Sequence, residues 1–352
     1  MRVVVEIPPG LVDEIRSAVR SGNYESPEEF LERALRTQLE LESGQQETLR
    51  SFGDAIEAGE APGERQTTFH AKATQRAVEP ADDEPETELE DLSLRDFDVT
   101  TVSPPAADRI DTGPLWGQYN RIFPMKLVVR RLAIVLSEPG AAGAPYREFR
   151  EETARVARAY GLRLEEADEK LGRGRGEKFS AAFPTGDKVE RSLDRFQTHF
   201  VGQLDKQGNL TGALPNLQFV DIDPAEETFG LTSAGLRFAQ IENPLLDEDI
   251  ESETPLSKSE REFYLDHVAS EHEAEAHAMR VVAEAIANGV DRPDPLSERI
   301  GELSADWSAA QASTIRSGLV GRMHELGLVT RKRVGSRGVE YELTELGGRE
   351  LL

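Results

Sequence analysis

Four basic side chains, Arg331, Lys332, Arg333 and Arg337, fall within seven positions near the end of a 352-residue chain whose formal net charge is −25. Guanidinium and ammonium groups this closely spaced can displace the counterions condensed on a polyphosphate. Gly335 and Gly338 stand among them and permit the tight turn of a hairpin. Other candidate chemistries fail on spacing. Gly172, Gly174 and Gly176 do not match a dinucleotide-binding loop, and no apolar strand precedes them. His272 and His277 are five apart rather than four, so their rings diverge around a helix and a solvated face is expected. The absence of cysteine removes disulfides, thiolate nucleophiles and thiolate zinc sites. No serine–histidine–acid set or paired carboxylates stand out, so the expectation is no catalytic site, no metal, no cofactor and no enzyme.

The elements that must position the basic cluster are visible as a repeat. "LPNLQFVDIDPAEETFGLTSAGLRF" (Leu214–Phe238) aligns with "MHELGLVTRKRVGSRGVEYELTELGGRE" (Met323–Glu350). Leu217, Phe219 and Val220 correspond to Leu326, Leu328 and Val329; Leu231-Thr232 and Gly235 correspond to Leu343-Thr344 and Gly347. Each block reads as a helix end, a strand, a turn, a strand and a short helix capped by its threonine. Ahead of the second copy, "SAAQASTIRSGLVGRMHEL" opens with a Ser308/Gln311 capping box and carries Ile315, Leu319, Met323 and Leu326 on one stripe. At about 100° per residue, Ser313, Thr314, Ser317, Gly321 and His324 face away from that stripe, with Arg316 on its flank. Such a small, hydroxyl-rich face suits base edges and phosphates, or plain solvent.

The inner copy has the opposite charge. Its hairpin carries Asp221, Asp223, Glu226 and Glu227 and no base, so it repels phosphate. Val189, Leu193, Phe196 and Phe200 form a core stripe on the helix expected ahead of it, with Lys188, Arg191 and Arg195 nearby. "KLGRGRGEK" (Lys170–Lys178) is a separate basic loop. The inner copy therefore reads as structural or as a possible protein-binding element, with DNA contact through that loop as the lesser alternative.

Charge divides the chain. Residues 43–112 hold 6 bases against 17 acids, whereas residues 291–352 hold 9 against 10. Within the first of these, "EPADDEPETELED" (Glu79–Asp91) has eight acids and no base, the composition of a largely disordered linker. The expected order is a domain at 1–42, the acidic linker at 43–112, a middle domain at 113–254, a connecting helix at 255–290 and a C-terminal domain at 291–352. The longest apolar run, Leu132–Leu136, is far too short for a membrane span, so a cytoplasmic protein is expected. Only 8 of the 41 bases are lysine. That acid-rich, lysine-poor composition resembles the proteome-wide bias of salt-accumulating haloarchaea. In roughly 1 M salt the screening length is about 3 Å, so local basic contacts rather than net charge decide binding to DNA.

At the N-terminus, "MRVVVEIPPGLVDEIRSAVRSGNYESPEEFLERALRTQLELE" reads as a strand and two helices. Val3, Val5 and Ile7 share one strand face; Ser26-Pro27-Glu28-Glu29 caps the second helix. These residues resemble the ribbon-helix-helix family of dimeric DNA-binding proteins. The resemblance implies pairing of two chains through the strand, base contact from Arg2, Val4 and Glu6, and phosphate contact near Ser26. Of the three outward positions only Arg2 is basic, which leaves a purely dimerising domain as the alternative. Both copies of the repeat resemble the end of a winged helix-turn-helix domain, for which "LGLV…LTELG" is typical. That resemblance implies a recognition helix with Ser313, Thr314, Arg316 and Ser317, and a wing that lays Arg331, Lys332, Arg333 and Arg337 on the phosphate backbone.

The expected fold class is mainly α with small β elements: a ribbon-helix-helix, an acidic linker and two winged-helix-like domains. The layout resembles long haloarchaeal ribbon-helix-helix regulators linked to cell-division genes. The implied function is a sequence-specific, homodimeric DNA-binding transcription regulator of a halophilic archaeon, with double-stranded DNA as partner. The alternative is a protein–protein adaptor that uses the same folds for assembly.

Overall fold

A helix as apolar as FPMKLVVRRLAIVL has no face to offer water, and it forms the centre of the fold. In a computed structural model, which describes residues 89–352 except 107–108, 111–112, 142, 175, 206–207, 224–226 and 335–337, this helix (α1, Phe123–Leu136) is buried almost all round. Its three bases are buried with it and each needs a partner there. Lys126 pairs with Glu260 at 3.0 Å, Arg130 with Asp247 at 2.7 Å, and Arg131 with Glu90 at 3.0 Å and Glu152 at 3.1 Å. Each pair ties α1 to a different segment. Burial pulls the Lys126 ammonium down to about 8, with Glu260 opposing the shift.

The described residues are mainly helical with small sheets. After α1 come β1 (Ala144–Pro145), the long helix α2 (Tyr146–Lys170) and α3 (Val189–Phe196), which continues as a π turn over Gln197–Val201. A small hairpin, β2 (Gln203–Leu204) and β3 (Leu210–Thr211), precedes a single helical turn, α4 (Ala213–Asn216). Then follow β4 (Val220–Asp223), β5 (Thr228–Leu231) and α5 (Ser233–Ala239). The strands form an antiparallel sheet in the order β1-β5-β4. The helix expected just ahead of the inner hairpin is therefore interrupted. Its core stripe lies on α3 and the π turn, and β2–β3 separates it from the hairpin.

The connecting segment is two helices rather than one. α6 (Lys258–Glu271) opens with a Ser257/Glu260 capping box, and α7 (Glu273–Ala287) follows after a break at His272, whose φ of −138° and ψ of 63° leave the helical region. The expected solvated face fails there: His272 and Glu275 are buried, while His277 is exposed. The C-terminal unit continues with α8 (Pro293–Gly301), α9 (Ala309–Glu325), β6 (Val329–Val334), β7 (Gly338–Leu343) and α10 (Glu345–Leu351). The expected capping box of α9 and its stripe of Ile315, Leu319, Met323 and Leu326 are both present, the stripe fully in the core.

The repeat holds at the level of single hydrogen bonds. Phe219 N–H donates to Leu214 O at 2.9 Å and Leu328 N–H to Met323 O at 2.9 Å, closing each helix end in the same six-to-one loop. Thr232 Oγ1 donates to Gln218 O at 2.6 Å and Thr344 Oγ1 to Gly327 O at 2.7 Å. Each threonine also caps the next helix by accepting from Gly235 or Gly347 N–H. Strand register agrees too, Val220 opposite Leu231 and Val329 opposite Leu343.

The linker boundary needs correction at its C-terminal side. Residues from 89 onward lie against α1 and the inner hairpin. Leu92 and Phe97 are buried, Leu92 O accepts from Arg130 at 3.0 Å and Glu90 O from Tyr160 at 2.8 Å. Two apolar side chains among many acids are sufficient because buried arginines receive the acids and carbonyls around them. The ribbon-helix-helix reading, with Arg2, Val4, Glu6 and Ser26, lies outside the described residues, as does Arg337. Among the described residues no helix is long and apolar enough to cross a membrane, and no cluster of His, Asp and Glu is arranged to hold a metal ion.

Candidate nucleic-acid interface

Strand alternation gives the C-terminal hairpin two different faces. On one, Thr330, Lys332 and Val334 lie beside Glu340 and Glu342 of β7. Lys332 pairs with Glu342 at 3.1 Å, and Glu340 takes Arg292 of the preceding loop at 2.7 Å. On the other face Arg331 stands opposite Tyr341 and Arg333 opposite Val339, with no carboxylate from the partner strand. Arg333 is exposed. Arg331 instead turns inward and donates to Gly176 O at 2.9 Å. Burial, reinforced by the Arg121 guanidinium, holds Arg331 below the ordinary arginine range.

Arg316 differs from the flanking surface position expected of it. It is only 9 % exposed, and donates to Ser297 Oγ at 3.2 Å, Ser313 Oγ at 3.4 Å and Tyr341 Oη at 3.4 Å. The reason is geometric: α8 and β7 both close over the flank of α9, so an arginine there reaches hydroxyls before it reaches water. Ser313 and Thr314 are half-buried and Ser317 is exposed.

The face of α9 that the helical period leaves free is covered further along by residues 113–121, which precede α1. Gly117 and Gly318 meet backbone to backbone: a Cβ on Gly318 would stand 2.5 Å from Gly117 O, and one on Gly117 2.1 Å from Thr314 O. Gly321 is closed off in the same way by Asn120. Arg322, fully buried, fastens this strap; it makes a two-pronged contact to Glu275 at 2.8 and 3.0 Å and donates to Tyr119 O at 2.6 Å and Leu115 O at 3.3 Å. Glu325 accepts from the amides of Ile122 and Phe123 at the start of α1, and burial pushes its carboxyl up. The open surface of α9 is thus its first turns, around Ala309, Ala310 and Ser317.

The basic loop Lys170–Lys178 meets the hairpin, a neighbourhood that the linear sequence gives no hint of. Arg121 and Arg331 both donate to Gly176 O, and His324 Nε2 meets Glu177 Oε2 at 2.7 Å. That bond draws the Glu177 carboxyl below its ordinary range, against the burial that opposes it. Much of the loop's own charge is taken internally. Lys170 pairs with Glu251 at 2.5 Å; Arg173 pairs with Asp168 at 3.0 Å and lies 3.8 Å over the Phe179 ring.

The inner hairpin is covered as well as acidic. Val102 N–H donates to Leu231 O at 2.8 Å, the Val102 side chain lies over Gly230, and Arg109 pairs with Asp221 at 2.7 Å. Set against protein-family models, curated proteins and solved structures, the chain matches none.

Proposed function

We propose that the chain is a DNA-binding regulator that contacts double-stranded DNA through its C-terminal unit, read as a winged helix, and pairs with a second copy through an N-terminal ribbon-helix-helix. The low-lysine, acid-rich composition supports a halophilic cytoplasm as its setting. The carrying observation is Arg333 on the C-terminal hairpin, exposed, opposite Val339 and free of any β7 carboxylate, in the same unit as the exposed Ser317 of α9. Contact on this reading is led by the hairpin and the first turns of α9, because the later turns are under the strap.

Charge reversal on the exposed hairpin tests it. R333E removes one phosphate contact on the unneutralised face and is expected to weaken binding of the full chain to genomic duplex fragments several-fold, about threefold or more, and to flatten its salt dependence. Oligomeric state and melting temperature should stay the same. Unchanged affinity would remove the hairpin from the interface.

The covering of Gly318 and Gly321 by the strap favours a second reading. On it the chain is an adaptor whose folds serve assembly alone, and no DNA retardation appears for the unmodified chain in any salt.

A further inference from the structure

Arg121, Arg316 and Arg331 come from the strap, α9 and β6, and they converge at the seam between the middle and C-terminal units. Arg121 and Arg331 donate to one carbonyl, Gly176 O, at 3.3 and 2.9 Å. Arg316 reaches the same neighbourhood through Tyr341, the residue paired opposite Arg331. Arg121 and Arg316 are each only 9 % exposed. Among the described residues none of the three makes an ion pair: their partners are the carbonyls of Asn120, Gly176 and Gly321 and the hydroxyls of Ser297, Ser313 and Tyr341.

That is unusual in a chain whose acids outnumber its bases by 25. Elsewhere in the same fold, buried bases find carboxylates: Lys126, Arg130, Arg131 and Arg322 all do. The two acids close to the seam are engaged by other groups, Glu177 by His324 and Glu325 by the amides of Ile122 and Phe123. Neutral carbonyls and hydroxyls satisfy the hydrogen bonds of a guanidinium, and Glu177 and Glu325, the acids near enough to attract Arg121 and Arg331, offset their charge only in part. Like charges held together with little water repel one another: burial, then Arg121 and Arg316, hold Arg331 below its ordinary range, with Tyr341 and Glu177 opposing.

We propose that Arg121, Arg316 and Arg331 form a binding site for a phosphate-class oxyanion, completed at its open side by Arg333. The planar, forked donors of arginine match the oxygens of phosphate in pairs, and Ser313 and Tyr341 supply hydroxyls at the rim. The anion is a phosphodiester of the DNA backbone or a free phosphate ester; the former assignment rests on the proposed function, whereas the site itself does not.

The test uses the full chain at fixed ionic strength, titrating inorganic phosphate against chloride and following thermal unfolding, with duplex binding measured in parallel. Phosphate is expected to raise the melting temperature of the unmodified chain and of K332Q, whose side chain lies on the neutralised face. R331Q and R121Q should each weaken the apparent phosphate affinity about tenfold or more, the size of one charge-assisted contact. Both variants are first checked for native circular dichroism; should R121Q unfold, R331Q, at the hairpin edge, carries the comparison. No rise specific to phosphate, or an equal rise in R331Q, overturns the site. If R331Q loses phosphate and duplex together, the anion is a phosphodiester. Loss of the phosphate effect with duplex affinity unchanged supports the site with a free phosphate ester as ligand. Phosphate binding in a chain that binds no duplex supports the site and defeats the DNA reading alone.

Discussion

The two hairpins of this chain share a hydrogen-bond skeleton and differ in nearly everything placed on it. Each begins from a closed helix end, pairs in the same register and finishes with a threonine that holds the helix end behind it and caps the helix ahead. The inner hairpin is short, acidic and overlaid by Val102 and Arg109; the C-terminal one has six-residue strands and a face where Arg331 and Arg333 meet no β7 carboxylate. The skeleton therefore sets where strands go, and the side chains decide what each hairpin can meet. Shared backbone geometry is no guide to shared binding.

The largest effect should come from one lesion introduced into both copies. A Cβ at Gly235 would stand 2.0 Å from Phe219 O, and one at Gly347 2.1 Å from Leu328 O. Gly235→Ala and Gly347→Ala are each expected to destabilise by about 3 kcal/mol, because the neighbour is backbone and cannot step aside. Chemical denaturation measures both; a large cost in one copy and none in the other would break the equivalence.

Acid should separate the two units next. His199, at the end of the helix in the middle unit, is held down to about 4 by burial, with Arg195 adding to the effect. An imidazole depressed in the folded chain contributes stability that is complete above the unfolded value near 6.5 and is lost as pH falls from there toward 4. The loss is on the order of 2–3 kcal/mol. Melting temperatures between pH 7 and 4.5 should therefore fall less steeply in His199→Gln than in the unmodified chain. Parallel slopes would show that the imidazole is not the group responsible.

The smallest effect concerns a single backbone angle. The closing residue after the helix is Gly327 in the C-terminal unit, with φ of 75°, and Gln218 in the inner one, with φ of 56°. Left-handed backbone suits glycine and costs a branched α-carbon about 1 kcal/mol. Gln218→Gly should stabilise by up to about 1 kcal/mol and Gly327→Gln should destabilise by a similar amount, as read by equilibrium unfolding. A loss in both would mean that the Gln218 side chain, which donates to Glu271 O at 3.2 Å, outweighs the strain.

Local signals read well from the sequence. The repeat, the caps at Ser308, Thr232 and Thr344, and the core stripe of α9 all depend on residues within a few positions of one another. What escaped depends on partners far apart in the chain. The pair Arg322–Glu275, the seating of Glu325 on α1 and the meeting of Arg331 with Gly176 have no local signature, and together they explain why the arginines proposed for DNA do not all face outward. One signal was available. Gly318 and Gly321, three apart in an otherwise ordinary helix, sit where another backbone approaches too closely for any side chain. The linker was misjudged at its end for a related reason, since its acids and carbonyls are received by arginines on α1 and by Tyr160 on α2 rather than by water.

The matching junctions of the two copies have a practical corollary. From Leu217 to Thr232 and from Leu326 to Thr344 the chain enters and leaves through the same bonds, so each hairpin behaves as an exchangeable cassette. Grafting the inner cassette into the C-terminal socket would yield a protein with the same scaffold and the opposite surface sign, a ready-made blank against which every property of the basic one can be measured.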